Sequence, residues 1–214
     1  AHKISIFRHN KNMNHHKNLK ILFIEDSEDD IELIVRLLKK HNILPHLNRV
    51  DNSLDLKTAL SENKFDLILA DYSMPGFNGL EALELIKSQG IDVPFILLSG
   101  SVGEEIAVEA MRLGAQDYIM KGNLTRLIPA IERELKEYEI RMSRRQIQEI
   151  LKEKEEQLKI AKIIQSGLFP QNSPILSSFD VGGMSYPAEE TGGDYFDFIS
   201  MLDNTLGLVV GDVS

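Results

Sequence analysis

The chain has 214 residues and a formal net charge of -9, with 24 Lys and Arg against 33 Asp and Glu. That charge balance excludes a nucleic-acid-binding surface, because no basic stripe is available to meet phosphates. The absence of cysteine excludes a disulfide framework and any thiolate metal site, and no apolar run approaches the ~18 residues of a membrane span. The length accommodates one ordinary domain and part of a second, and the expectation is a cytoplasmic protein whose partners are other proteins.

Residues 1–18 carry His2, His9, His15 and His16 among lysines and asparagines with no apolar period, and they read as a disordered leader. Met13 is an equally good native start, with residues 1–12 then an added extension. From Leu19 the chain alternates apolar β-rich runs with amphipathic stretches. Strands are predicted over 20–25, 46–50, 66–70, 94–98 and 117–120, and helices over 28–41, 53–62, 79–88 and 103–113. This alternation predicts an α/β fold, a doubly wound parallel sheet of the flavodoxin-like (βα)5 kind. Ser27 with Asp30 signals the start of the first helix, Ser53 that of the second, and Gly114 the end of the fourth.

Residues 124–168 hold no glycine before Gly167, have Pro129 near the start and are dense in Glu, Lys and Arg, which predicts one long helix. Ile128, Ile131, Leu135, Tyr138 and Met142 form one apolar seam, and Ile140, Ile147, Leu151, Leu158, Ala161 and Leu168 a second. Two such seams predict a coiled-coil linker that pairs with a second copy of the chain through residues 124–168. A single helix with one face docked on its own domain is the competing arrangement. Beyond Phe169, prolines and glycines surround strand-like runs at 179–186, 195–202 and 205–210. Residues 169–214 thus read as the opening of a β-rich domain, too short to bury a core alone and expected to be cut off at Ser214.

Several polar residues end apolar runs: Glu25 and Asp26 after Ile24, Asp71 after Ala70, Ser99 after Leu98, and Lys121 after Met120. The carboxyl ends of strands in an open parallel sheet are where ligands bind, so three carboxylates, a hydroxyl and an ammonium are expected to converge. Hard carboxylate oxygens suit Mg²⁺, a carboxylate can accept a phosphoryl group, and a lysine and a hydroxyl can hold the phosphoryl oxygens. Residues 19–123 resemble a response-regulator receiver domain. The words that carry the likeness are Ile-Glu25-Asp26, Asp71-Tyr-Ser-Met-Pro75-Gly-Phe-Asn-Gly79, Leu-Ser99-Gly100 and Gly114-Ala-Gln-Asp-Tyr118-Ile-Met-Lys121. The resemblance implies that Glu25, Asp26, Asp71 and the backbone carbonyl of Ser73 bind Mg²⁺. It implies further that Asp71 accepts a phosphoryl group from a histidine kinase, and that Ser99, Tyr118 and Lys121 form the switch. The sequence departs from that pattern at Gly122, where proline is usual, and at Glu25, where aspartate is common.

A second set of words is Ala161-Lys-Ile-Ile-Gln165-Ser-Gly-Leu-Phe-Pro170, Gly192-Gly193-Asp194-Tyr-Phe-Asp197 and Gly211-Asp212-Val213-Ser214. Acids on neighbouring strands suit a hydrolase that clamps a phosphoryl group between two metals. The set resembles the N-terminal part of a SpoIIE-like metal-dependent Ser/Thr protein phosphatase of the PPM type. By that resemblance Asp194, Asp212 and the backbone carbonyl of Val213 ligate Mn²⁺ or Mg²⁺. The substrates it implies are phosphoserine or phosphothreonine proteins, anti-sigma-factor antagonists among them. The family's further metal-binding acids have no counterpart within these residues, so the catalytic site is incomplete here. The leading expectation is therefore a phosphorylation-gated phosphatase, and the alternative a non-enzymatic receiver and coiled-coil module that sequesters a partner.

Overall fold

The structure is a computed structural model, and it describes residues 17–100, 103–178, 180–186, 192–202 and 205–212. It divides into two compact units, the first ending at Arg141 and the second beginning at Met142.

In the first unit, strands β1 (Lys17–Ile24), β2 (Ile43–Val50), β3 (Leu67–Asp71), β4 (Phe95–Ser99) and β5 (Asp117–Met120) alternate with helices α1 (Glu28–Lys40), α2 (Ser53–Glu62), α3 (Gly79–Ser88) and α4 (Glu104–Leu113). The strands make one parallel sheet in the order β2-β1-β3-β4-β5, the flavodoxin-like doubly wound order. Successive side chains of a strand point to opposite faces, and here both faces are covered. Ile21, Phe23, Leu67, Leu69, Ile96 and Leu98 pack against Ile34, Val35 and Leu38 of α1. Leu22, Ile24, Ile68, Ala70, Phe95 and Leu97 pack against Leu56 of α2, Leu83 and Ile86 of α3 and Ala110 of α4. Continuous apolar runs in the central strands follow from this two-sided burial, each buried Leu or Ile side chain contributing about 1.5–3 kcal/mol.

The helix ends are capped as short-range chemistry dictates. Ser27 Oγ accepts the Asp30 N–H, and Asn78 with Glu81 closes a reciprocal capping box at α3. Gly114 ends α4 at φ 93°, a left-handed conformation that costs glycine least. The second helix differs from expectation: Asn52 is its N-cap, accepting the Asp55 N–H, and Ser53 is the first helical residue.

The helix expected over 124–168 begins as a 3-10 turn, Leu124–Arg126, and continues as α5 (Leu127–Leu168). Leu127, Ile128, Ala130, Ile131 and Leu135 are buried in the same core cluster as α1. The first of the two predicted seams is thus covered at Ile128, Ile131 and Leu135 by the chain's own sheet, and the unit runs well past residue 123. Ile140, Ile147, Leu151, Leu158 and Leu168 of the second seam are exposed.

In the second unit, β6 (Asp194–Ser200) and β7 (Leu206–Asp212) form an antiparallel hairpin, and Ile175 and Asp180 make an isolated bridge. Residues 181–186, expected to be strand, carry no ladder, while Phe179 lies outside the described residues. The Phe169 ring stacks 5.3 Å from Phe196 and 6.0 Å from Tyr195. The predicted leader, up to residue 16, also lies outside the described residues.

Candidate functional site

β1 and β3 are neighbours whose following connections leave on opposite sides, since β2 lies beyond β1 and β4 beyond β3. This switch point opens a crevice at the carboxyl ends of the strands, and the acids stand at its mouth. Glu25, Asp26 and Asp71 each place a carboxylate oxygen within 4.8 Å of the others, the one such acidic group among the described residues. Glu25 and Asp71 are buried and Asp26 is exposed.

Lys121 follows β5 and reaches back into this cluster. Its Nζ lies 2.8 Å from Glu25 Oε2, 2.5 Å from Asp30 Oδ2 and 3.2 Å from Asp71 Oδ2. Its backbone N–H donates to the Ser99 carbonyl at 2.8 Å, which fixes the lysine loop to the end of β4. Ser99 is buried there, and Tyr118 is half-buried on β5 against the cluster that holds α3 and α4. Ser73 is exposed in the loop after β3, and its backbone N–H lies toward the Asp71 carboxylate. Gly122 stands in open space, where an added Cβ would meet nothing within 4 Å.

Burial raises the affinity of the Asp71 carboxylate for a proton, and the Lys121 charge and hydrogen bond offset this only in part. Burial likewise raises Glu25, against hydrogen bonds from Lys121 and from the Ser27 N–H. Burial alone would lower Lys121, but its bonds to Asp30 and Glu25 outweigh that and raise it above its ordinary 10.5. Asp71 Oδ1 is buried with no hydrogen-bond partner among the described residues. An orphaned anionic oxygen beside two further carboxylates is the donor set a hard divalent cation takes, so the residues fit Mg²⁺.

Two contributors were not anticipated. Arg49, at the end of β2, donates from Nε to the Glu25 carbonyl at 2.9 Å and from a terminal nitrogen to the Asp26 carbonyl at 2.7 Å. Another terminal nitrogen pairs with Glu28 at 2.9 Å, so one guanidinium holds the acidic loop in place. Asp30 was read only as part of the cap of α1, yet its carboxylate is the nearest to Lys121. A basic residue ending the strand beside an acidic loop was the available signal for Arg49. The run Glu28-Asp29-Asp30 offered none that singled out its last member.

Gly79 fits where only glycine can. A Cβ there would lie 2.5 Å from the Asp71 carbonyl oxygen and would also clash with the Leu97 side chain. Gly79→Ala is therefore expected to destabilise the fold by about 1–3 kcal/mol through displacement of the backbone that carries Asp71. Urea unfolding checks this, and an unchanged midpoint would contradict the packing described.

In the second unit, Asp194 and Asp212 are direct partners across the hairpin, and both are exposed. Val213 lies outside the described residues. Gln165 of α5 brackets Gly192, accepting its N–H at 3.1 Å and donating to its carbonyl.

The five-stranded doubly wound domain thus carries an acid cluster and a lysine together at its switch point. Residues 21–132, just over half of the chain, match the response regulator receiver domain family, and the chain belongs to that family. It is 33% identical over 107 residues to a protein-glutamate methylesterase/protein-glutamine glutaminase of Clostridium acetobutylicum, covering 49% of this chain and 31% of that one. It is 31% identical over 119 residues to the transcriptional regulatory protein NatR of Bacillus subtilis, covering 55% and 50%. Among solved structures it is similar to NtrX from Brucella abortus, with a TM-score of 0.54 at 26% identity over 61% of this chain and 29% of that one. The receiver domain of the Francisella response regulator 1452 shares the fold, with a TM-score of 0.50 at 24% identity over 56% and 98%. The chain spans half or less of the length of these curated relatives. No helix among the described residues is long and apolar enough to cross a membrane.

Proposed function

We propose that this chain is the input half of a two-component response regulator in which Asp71 accepts a phosphoryl group from a histidine kinase. The observation that carries this reading is the buried Asp71 carboxylate, with one oxygen unpartnered and Lys121 at 3.2 Å from the other. Glu25, Asp26, Asp71 and the Ser73 carbonyl would hold Mg²⁺, which when bound offsets repulsion between the acids and the phosphoryl oxygens. An Asp71 oxygen attacks phosphorus, an O–P bond forms and the P–N bond to the donor imidazole breaks. The imidazole leaves with that electron pair and is protonated by solvent. Lys121 holds one phosphoryl oxygen and the Ser99 hydroxyl another, and Tyr118 on the neighbouring strand follows Ser99.

The output we infer is a metal-dependent phosphoserine or phosphothreonine protein phosphatase, with anti-sigma-factor antagonists as the substrate class. Support comes from the register that sets Asp194 opposite Asp212, the arrangement in which two acids of adjacent strands share Mn²⁺ or Mg²⁺. The Val213 carbonyl completes the proposed ligand set of this portion. The exposed row Ile140, Ile147, Leu151 and Leu158 supports pairing of α5 with a second copy, confined to the part of the helix past the receiver core.

The test uses the full-length protein and a phosphoserine protein substrate. Asp194→Asn is expected to abolish hydrolysis, and Asp71→Asn to remove its response to a phosphodonor. Hydrolysis that survives Asp194→Asn refutes the output, and an unchanged response in Asp71→Asn refutes the gating.

A further inference from the structure

Lys121 has three N–H donors, and in this structure three carboxylates occupy its surroundings: Glu25, Asp30 and Asp71. Its hydrogen bonds go to Glu25 and Asp30, while Asp71 Oδ2 is an ion-pair partner at 3.2 Å; a phosphoryl oxygen on Asp71 stands beyond that carboxylate, so the ammonium has to shift toward it and one of the two hydrogen bonds has to yield. Glu25 is only 2% exposed and released there would be a buried charge without its cation. Asp71 carries the incoming group itself. The Asp30 side chain is 39% exposed, so water can replace the ammonium when the contact breaks.

We propose that Asp30 is a positioning residue that holds Lys121 in the unphosphorylated state and releases it to the phosphoryl group, thereby opposing the phosphorylated state. This rests on the reading of Asp71 as the phosphoacceptor. The backbone of Asp30 is fixed independently of its carboxylate, because its N–H donates to Ser27 Oγ. The carboxylate can therefore let go of Lys121 without unwinding the first turn of α1. The Asp30 side chain also links the site to that turn, so capture and release of Lys121 alter the charge balance at the start of α1, where Glu28 and Asp29 also stand.

The test is calorimetric titration of the whole chain with beryllofluoride, a mimic of the phosphoryl group, at saturating Mg²⁺. Asp30→Asn keeps the backbone cap and removes the competing negative charge, and its beryllofluoride affinity is expected to rise about three- to tenfold. Asp29→Asn removes the same charge from the same turn without touching Lys121, and is expected to change affinity by less than about twofold. Nitrogen NMR of the Lys121 Nζ, without beryllofluoride, is expected to shift in Asp30→Asn and stay in place in Asp29→Asn. Equal affinities in the two variants, or an Asp30→Asn affinity at or below that of the unsubstituted chain, would overturn the proposal. Failure of the phosphoacceptor reading shows differently: the unsubstituted chain fails to bind beryllofluoride, or Asp71→Asn binds it equally well, and either result overturns both.

Discussion

Lys121→Met is expected to lower stability at neutral pH by about 1–3 kcal/mol in Mg²⁺-free buffer. Removal of one partner of a fully buried ion pair costs about 3–5 kcal/mol, and the figure is discounted here because the Lys121 side chain is 18% exposed. The loss comes from Glu25 and Asp71, both buried and both already raised by burial with the ammonium present. Without it their ionisation becomes dearer, so stability of the variant should recover as pH falls and the two acids take up protons. Mg²⁺ should restore stability more in the variant than in the unsubstituted chain, because a cation that binds only the folded state stabilises it by mass action. Thermal unfolding with and without Mg²⁺ measures this. A variant as stable as the unsubstituted chain in Mg²⁺-free buffer would show that Lys121 does not neutralise the cluster. The Lys121 contribution has the same pH sign in a higher window: its folded value is raised, so it is fully present below 10.5 and lost as pH climbs past that value toward the raised one.

Asp71→Asn is expected to do two things at once: abolish phosphoryl acceptance and stabilise the Mg²⁺-free fold by about 1 kcal/mol near neutral pH. The stabilisation arises because a buried carboxylate with an unpartnered oxygen is replaced by a neutral group of the same shape. Its pH dependence follows from linkage. The folded state binds the Asp71 proton more tightly than the unfolded chain does, so ionisation of Asp71 opposes folding at neutral pH. As pH falls through the raised value toward the unfolded 3.8, the unsubstituted chain recovers that stability and the gap to the variant closes. Mg²⁺ should narrow the gap from the other side by stabilising only the chain that retains the acid. Urea titrations at two pH values decide the matter: a variant less stable than the unsubstituted chain in Mg²⁺-free buffer would show that the ionised Asp71 does not oppose folding.

The central strands were legible because burial on both faces leaves an unbroken apolar run ended by one polar residue, as at Asp71 and Ser99. β2 was read only from His46 because Pro45 and the polar residues around it look unlike a strand. It starts at Ile43, and as the edge strand it tolerates a proline and exposed side chains. The helical pattern at Ile128, Ile131 and Leu135 was visible, but periodicity does not say which surface covers a stripe, and the covering surface is the chain's own sheet. The strand ends brought Glu25, Asp26, Asp71, Ser99 and Lys121 to one edge as their positions implied. Arg49 and Asp30 escaped notice because each acts on a partner distant along the chain, 24 residues for Arg49 and Glu25, 91 for Asp30 and Lys121. Such pairings depend on the closed sheet, and the sequence signals at most that a basic residue, Arg49, ends the second strand.

Phosphoryl acceptance at Asp71 is tested most directly by the intact mass of the chain after incubation with acetyl phosphate, with Mg²⁺ and with the cation chelated. A single phosphoryl increment is expected, one that requires Mg²⁺ and is lost in Asp71→Asn. Incorporation that persists under chelation, or in Asp71→Asn, would contradict that expectation.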